Sequence, residues 1–296
     1  MRLYFCNTVT ISFPIIPAQF NPIPIYLVYP LPIILVPISK IKFAPGNVIL
    51  AINDNNSTLF RVDQRAEFDS SDVQGNYDFT VSGEKSRGLY VADQGTTVKA
   101  DGKDANSKVV FKVEGKDSTG IYVTSSAGKY GTATEGQVLL GENTTIYVAG
   151  ENASAAVVDG TVFSVNGVAL RKDTAILTSK ATLTDSTVTF YKGVSGYRLI
   201  NNGELQHTGK IDFTGQQAVT SGNAVGVYIN GGHLNNMNGG EIVVNGIGVD
   251  IYGANSIVSN LGSVKAVNGI AAVRLNKDAS LTVKGSSATD VIKGEK

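Results

Sequence analysis

Along most of the chain, apolar residues alternate with polar ones for four to six positions, and Gly, Asn, Asp or Ser then interrupts them. Val109–Val113 (VVFKV), Ile146–Val148 (IYV), Val162–Val165 (VFSV), Val188–Phe190 (VTF) and Ile242–Val244 (IVV) are examples. A period of two in β-branched residues predicts short, half-buried strands. No stretch of a dozen residues keeps a helical period between capping signals, so no long helix is predicted.

The interruptions recur in a fixed form: a glycine followed by apolar, variable, apolar. It is found as Gly88-Leu89-Tyr90-Val91, Gly120-Ile121-Tyr122-Val123, Gly226-Val227-Tyr228-Ile229, Gly248-Val249-Asp250-Ile251 and Gly269-Ile270-Ala271-Ala272. The last three start 22 and 21 residues apart. Between them, Leu234–Gly246 (LNNMNGGEIVVNG) and Ile257–Gly269 (IVSNLGSVKAVNG) share a second cadence. A 20-odd-residue period of short strands is the signature of a solenoid, and the leucine-rich frame that shares this length is missing. The pattern predicts an all-β chain, a right-handed parallel β-helix with Gly and Asn at corners that need positive φ. With ~21 residues per coil and a rise of ~4.8 Å, about 12 coils would span 46–296. A β-sandwich also has short strands with regular turns, but it does not require the repeated glycine-strand cadence.

The first 45 residues break this pattern. All eight prolines lie between Pro14 and Pro45, and all 33 glycines lie after Pro45. The segment is apolar enough to suggest a membrane span, yet its prolines remove backbone donors and disfavour helix at the residues before them. It also lacks the unbroken apolar core and small-residue cleavage site of a signal peptide. Residues 1–45 are therefore read as a Pro-rich, non-solenoid leader. Three readings stay open for it: a mis-assigned start, an unusual export or anchor segment, or a poorly ordered extension. Proline is disfavoured within the predicted body because each coil donates hydrogen bonds to the next.

Charge and chemistry narrow the picture further. Lys+Arg and Asp+Glu are 25 each, so no global field draws the chain to nucleic acid. The leader carries Arg2, Lys40 and Lys42 and no acid, leaving 22 basic against 25 acidic residues in the body. Cys6 is the one cysteine, so the body has neither disulfides nor thiolate chemistry. This composition suits a polypeptide that crosses a membrane unfolded. No metal or cofactor motif is recognised. Asn245–Tyr252 comes near a calcium-binding nonapeptide, but only one copy exists where ion sharing needs consecutive copies. His207 and His233, 26 residues apart, are read as surface turn residues that can approach each other on successive coils. Asp159, Asp173, Asp185, Asp212 and Asp250 lack paired spacing, and Glu67 and Asp69 flank Phe68 on the face opposite to it.

In Tyr90, Tyr122 and Tyr228 the flanking residues are apolar, so alternation sends the three tyrosines outward when the flanks are core. An outward ladder of this kind can stack on glycan rings or on a partner protein; covering a strand edge is the plainer alternative.

GVYINGGHLNNMNGGEIVVNG (226–246) and GVDIYGANSIVSNLGSVKAVNG (248–269) resemble the passenger domains of bacterial autotransporter adhesins, notably those of fusobacterial type. The resemblance is one of cadence and composition over roughly 80–296. It implies secretion through a C-terminal outer-membrane barrel, which this chain does not contain, and display at the cell surface. It also implies a non-catalytic role as stalk or adhesin toward host proteins, host glycans or neighbouring cells. The alternative is a polysaccharide lyase or hydrolase on the same scaffold, which needs carboxylates converging on neighbouring coils.

Overall fold

The computed structural model describes residues 40–41, 45–63, 66–72, 74–92, 96–125, 136–166, 168–185, 193–215, 224–237, 239–267, 270–276, 278–279 and 291–294. Val188–Phe190, Gly269 and all of the predicted leader except Lys40, Ile41 and Pro45 lie outside them.

The described residues form strands and turns, without a helix. Three parallel sheets of eight, nine and eight strands run the length of the molecule. Within each sheet, every inner strand pairs with the strands one coil before and one coil after it. The chain passes through the first, second and third sheet in turn, then starts the next coil. Thr97–Ala100, Val109–Val113 and Thr119–Thr124 make one such coil. This is a parallel β-helix, as the recurrent glycine–strand cadence predicts.

Alternation within each strand points one row of side chains into the prism. Ile52, Val81, Val113 and Val148 stack in register down the second sheet, all at most 2 % exposed. Phe79 and Phe111 stack beside them with centroids 4.8 Å apart. Each buried valine or phenylalanine removes about 1.5–3 kcal/mol worth of apolar surface from water, so the core is a continuous column rather than a set of separate clusters.

The period differs from the expectation. Successive pairings down the third sheet run Thr58, Arg87, Thr119, Ser154, Ser195, Val225, Ile247 and Ala271, which gives coils of 29, 32, 35, 41, 30, 22 and 24 residues. The coil of ~20 residues holds only at the C-terminal end, where the repeat is least interrupted. The described residues make eight three-stranded coils, not twelve, and at ~4.8 Å per coil these span about 35 Å. The longest coil carries an antiparallel hairpin, Thr161–Val165 with Val168–Asp173, between the third and first sheets. The leader boundary also moves. Lys40–Ile41 pairs with Glu67–Phe68 and extends the first sheet, so the ladder begins inside the Pro-rich segment.

The turns from the second to the third sheet stack as closely as the strands. Asn56, Lys85, Asp117 and Asn152 occupy the same place in four consecutive coils, with φ of 54°, 54°, 54° and 56°. Asn and Asp tolerate this left-handed conformation through their short polar side chains. Glycine serves another purpose here. A Cβ on Gly83, Gly115 or Gly150 would lie 2.0–2.1 Å from a carbonyl oxygen of the preceding coil, and none of the three has positive φ. Serines bind the stack laterally: Ser86 Oγ donates to the Asp54 carbonyl (2.6 Å) and accepts from Ser57 N (3.1 Å), and Ser118 Oγ donates to the Gly83 carbonyl (2.6 Å).

Candidate functional site

The recurrent glycine sits at the bend by which each coil enters the third sheet. A Cβ on Gly88, Gly120, Gly196, Gly226 or Gly248 would come within 2.4–2.7 Å of the carbonyl oxygen of the corresponding residue one coil on. Close backbone approach, not positive φ, therefore excludes larger side chains. The sequence alignment of this column needs one correction. Val249 pairs with Val273 and Asp250 with Arg274, so Ala272, not Gly269, follows Gly248 in the stack. Two further coils join it through Ala155-Ala156-Val157-Val158 and Gly196-Tyr197-Arg198-Leu199.

With the register fixed, the variable residue of every coil falls into one outward row: Arg61, Tyr90, Tyr122, Val157, Arg198, Tyr228, Asp250 and Arg274. Tyr90, Tyr122 and Tyr228 all belong to it and are half-buried. Their apolar flanks Leu89, Val91, Ile121, Val123, Val227 and Ile229 are core. Tyr90 and Tyr122 are direct neighbours, with centroids 5.7 Å apart and planes 9° from parallel. Tyr228 stands three coils beyond Tyr122, past Val157 and Arg198, and leans on Tyr252 at 5.2 Å.

Arginines complete the aromatic row. Arg61 lies 4.9 Å over the Tyr90 ring, Arg87 lies 5.6 Å from Tyr90 and 4.5 Å from Tyr122, and Arg198 lies 5.0 Å over Tyr228. Each contact of this kind contributes about 0.5–1 kcal/mol at an exposed site. The ring faces are thus taken up by each other and by guanidinium groups. What the row presents outward is ring edges, phenol hydroxyls and N–H donors.

The charges on this face are of two kinds. Arg61 is paired with Asp63 at 2.7 Å, and Arg274 grips Asp250 with bonds of 2.8 and 2.6 Å. Asn276 adds a third bond to the Asp250 carboxylate at 2.7 Å, and the pairing holds the Arg274 guanidinium above its usual pKa. The one carboxylate of the calcium-like motif is therefore occupied by protein donors. Arg87 and Arg198 have no carboxylate partner among the described residues. Burial, and then the hydrogen bond to Asp159, push the Tyr122 hydroxyl well above the ordinary tyrosine range. It stays protonated and donates to Asp159, whose other oxygen accepts from Asn201 Nδ2 at 2.9 Å.

Compared with protein-family models, curated proteins and solved structures, the chain matches none of them.

The remaining sequence candidates are dispersed. Asp185 accepts from Gly215 N at 3.0 Å, and Asp212 from Thr214 Oγ1 at 2.6 Å; the side chain of Asp173 is outside the described residues. Glu67 and Asp69 do share the face opposite buried Phe68, where Asp69 accepts from Ser71 and faces Lys99 at 3.7 Å. Among the described residues, no group of three or more His, Cys, Asp or Glu is placed to hold a metal ion.

The histidines are not turn residues. His207 closes the strand Gly203–His207 and is fully buried against Tyr197, with ring centroids 5.6 Å apart. Its position is legible in hindsight, because Gly203, Leu205 and His207 share one alternating row. His233 opens the strand His233–Asn236 on the outer side of the first sheet, with Nε2 at 2.6 Å from Ser259 Oγ. Sequence reasoning also missed Arg61, Arg87, Arg198 and Tyr252. Arg198 was readable from Gly196-Tyr197-Arg198-Leu199; the others need the three-dimensional register.

Proposed function

We propose that this chain is a surface-displayed, autotransporter-type passenger segment whose role on the third sheet is binding, as a stalk or adhesin, without turnover there. The observation that carries the reading is the outward row from Arg61 to Arg274, in which six of the eight positions are arginine or tyrosine. Tyrosine and arginine are the residues that dominate protein interfaces, since they supply large rigid contact area and several donors. A cysteine-free body is compatible with export, and a rigid β-helix holds the row straight over about 35 Å. The partner is a host surface protein, a host glycan or a component of a neighbouring cell. With the ring faces already covered, it is engaged by hydroxyl and guanidinium groups rather than by stacking on the tyrosines.

The full chain, immobilised, is exposed to panels of extracellular-matrix proteins and glycans alongside the double variant Arg198→Ser/Tyr228→Ser. Specific capture that falls at least ~10-fold in the variant supports the reading, as loss of two central contacts does at other interfaces. Capture of the same partner with unchanged affinity by the variant overturns it.

A further inference from the structure

A second arrangement lies on the first sheet, away from the arginine–tyrosine row. Gly203–His207, His233–Asn236 and Ile257–Asn260 are consecutive strands there, from three successive coils. Glu204 pairs in register with His233. On the next coil the register slips: Leu234 pairs with Val258 but Asn235 pairs with Asn260, so Ser259 is an inserted residue in a bulge. Bulges re-aim a side chain and are over-represented next to active sites. Here the bulge brings Ser259 Oγ to 2.6 Å from His233 Nε2. The other ring nitrogen, Nδ1, lies 3.9 Å from Glu204 Oε2, and Gln206 Nε2 donates to Glu204 Oε1 at 3.1 Å.

We infer that Ser259, His233 and Glu204 form a nucleophile–base–carboxylate relay that hydrolyses small carboxylic esters. The nucleophile–base contact is formed at 2.6 Å, and the carboxylate stands 3.9 Å from the far nitrogen, a separation that tightens to a hydrogen bond when substrate binds. A hydroxyl within hydrogen-bond reach of an imidazole, whose far nitrogen faces a carboxylate, is the arrangement that activates serine on unrelated folds and in any chain order. Glu204 acts as a positioning residue: it favours the tautomer with the proton on Nδ1 and leaves Nε2 as acceptor. Ser259 Oγ bonds to the ester carbonyl carbon as its proton passes to Nε2. The ester C–O bond then breaks, and the alcohol leaves with the proton from Nε2. Water, giving a proton to Nε2, cleaves the acyl-serine, and the carboxylic acid departs as Ser259 regains its proton. Net, one ester and one water give one acid and one alcohol.

On the same strands Asn260 Nδ2 donates to Asn235 Oδ1 at 2.7 Å, which ties the bulged strand to its neighbour. The substrate class follows from exposure. The His233 side chain is 31 % exposed, and water weakens electrostatic stabilisation at an open site. Such a site suits an ester with a good leaving group and a short acyl chain, not an amide.

The test uses the full chain, p-nitrophenyl acetate as substrate and a fluorophosphonate as covalent probe. Hydrolysis above the buffer rate, lost at least ~100-fold in Ser259→Ala and in His233→Ala, is expected. So is probe labelling mapped to the peptide that contains Ser259. Glu204→Gln lowers kcat about 10-fold with KM unchanged, and Glu204→Asp recovers part of the loss. A merely structural Glu204 gives neither the kcat-only effect nor the rescue by aspartate. Hydrolysis that survives Ser259→Ala, labelling confined to other residues, or no hydrolysis above buffer overturns the inference. It stands or falls apart from the binding role, since none of these residues belongs to the arginine–tyrosine row.

Discussion

His207 shows what a single residue does when the pattern around it is stronger than its own preference. The alternation of Gly203, Leu205 and His207 commits it to the interior, and there it meets the Ser179–Tyr197 hydroxyl pair, 2.7 Å apart, and Asn236 one coil on. Neither ring nitrogen has a hydrogen-bond partner among the described residues. Burial pushes the imidazole down to about 4, opposed only in part by backbone groups of Glu241 and Ser179. In the unfolded chain the ring titrates near 6.5, so between these values the unfolded state holds more protons than the folded one. The neutral ring is therefore fully compatible with folding above about 6.5, and stability is lost as pH falls toward 4. At ~1.4 kcal/mol per pH unit, the loss from this residue is roughly 3 kcal/mol. Urea midpoints for the protein and for His207→Leu, taken at pH 7 and pH 4.5, isolate it from the carboxylates common to both. The variant is expected to lose about 2–3 kcal/mol less over that interval; equal losses would remove the buried histidine from the account.

At the scale of the strand and the turn, glycine means two different things in this molecule. Gly231, Gly239 and Gly253 have φ of 72°, 96° and 74°, where the turn itself needs them. Gly226 has no such φ; a Cβ there would meet Gly248 O at 2.6 Å and Ile242 Cγ2 at 2.5 Å. The side chain can yield but the stacked carbonyl cannot. Gly226→Ala is therefore expected to cost about 1–3 kcal/mol in denaturant unfolding, and a cost below ~0.5 kcal/mol would mean that the coils can separate freely. This distinction was only half legible in the sequence. The Gly-apolar-variable-apolar tetrad was plain, and so were the outward tyrosines, because both follow from adjacent residues. The alignment of Gly269 with Gly248 failed, since coils of 22 and 24 residues cannot be told from a constant period by three glycines. The tetrad of Ala155 hid in the same way, because alanine fills the glycine place there. The approach of Ser259 to His233 depends on a bulge that alternation does not encode.

For the whole molecule, the consequence of stacking is that each coil is held only by its two neighbours, so stability is a sum of local interfaces. In the third sheet the central strands have a neighbour on both sides, whereas Ala271–Leu275 has one; in the second sheet Val291–Gly294 continues beyond the eighth coil. The difference is visible in the side chains. Val249 and Ile251 are fully buried, but in the next coil Val273 is half-buried and Leu275 is 51 % exposed. Opening should therefore begin at this end and progress inward, with the lowest free energies at the terminal strands and the global value only in the middle. In native-state hydrogen exchange of the full chain, amides of Thr119–Thr124, Ser154–Asp159 and Ser195–Ile200 are expected to be the slowest, and those of Ala271–Leu275 the fastest in the third sheet. Uniform protection along that sheet would instead require the eight coils to open as one cooperative unit. The gradient bears on function as well. Tyr122, Val157 and Arg198 ride on the strands predicted to open least, so the middle of the arginine–tyrosine row is its most rigid part. The Ser259–His233 pair joins the seventh and eighth coils, nearer the fraying end, so its geometry is held less tightly than the centre of the row.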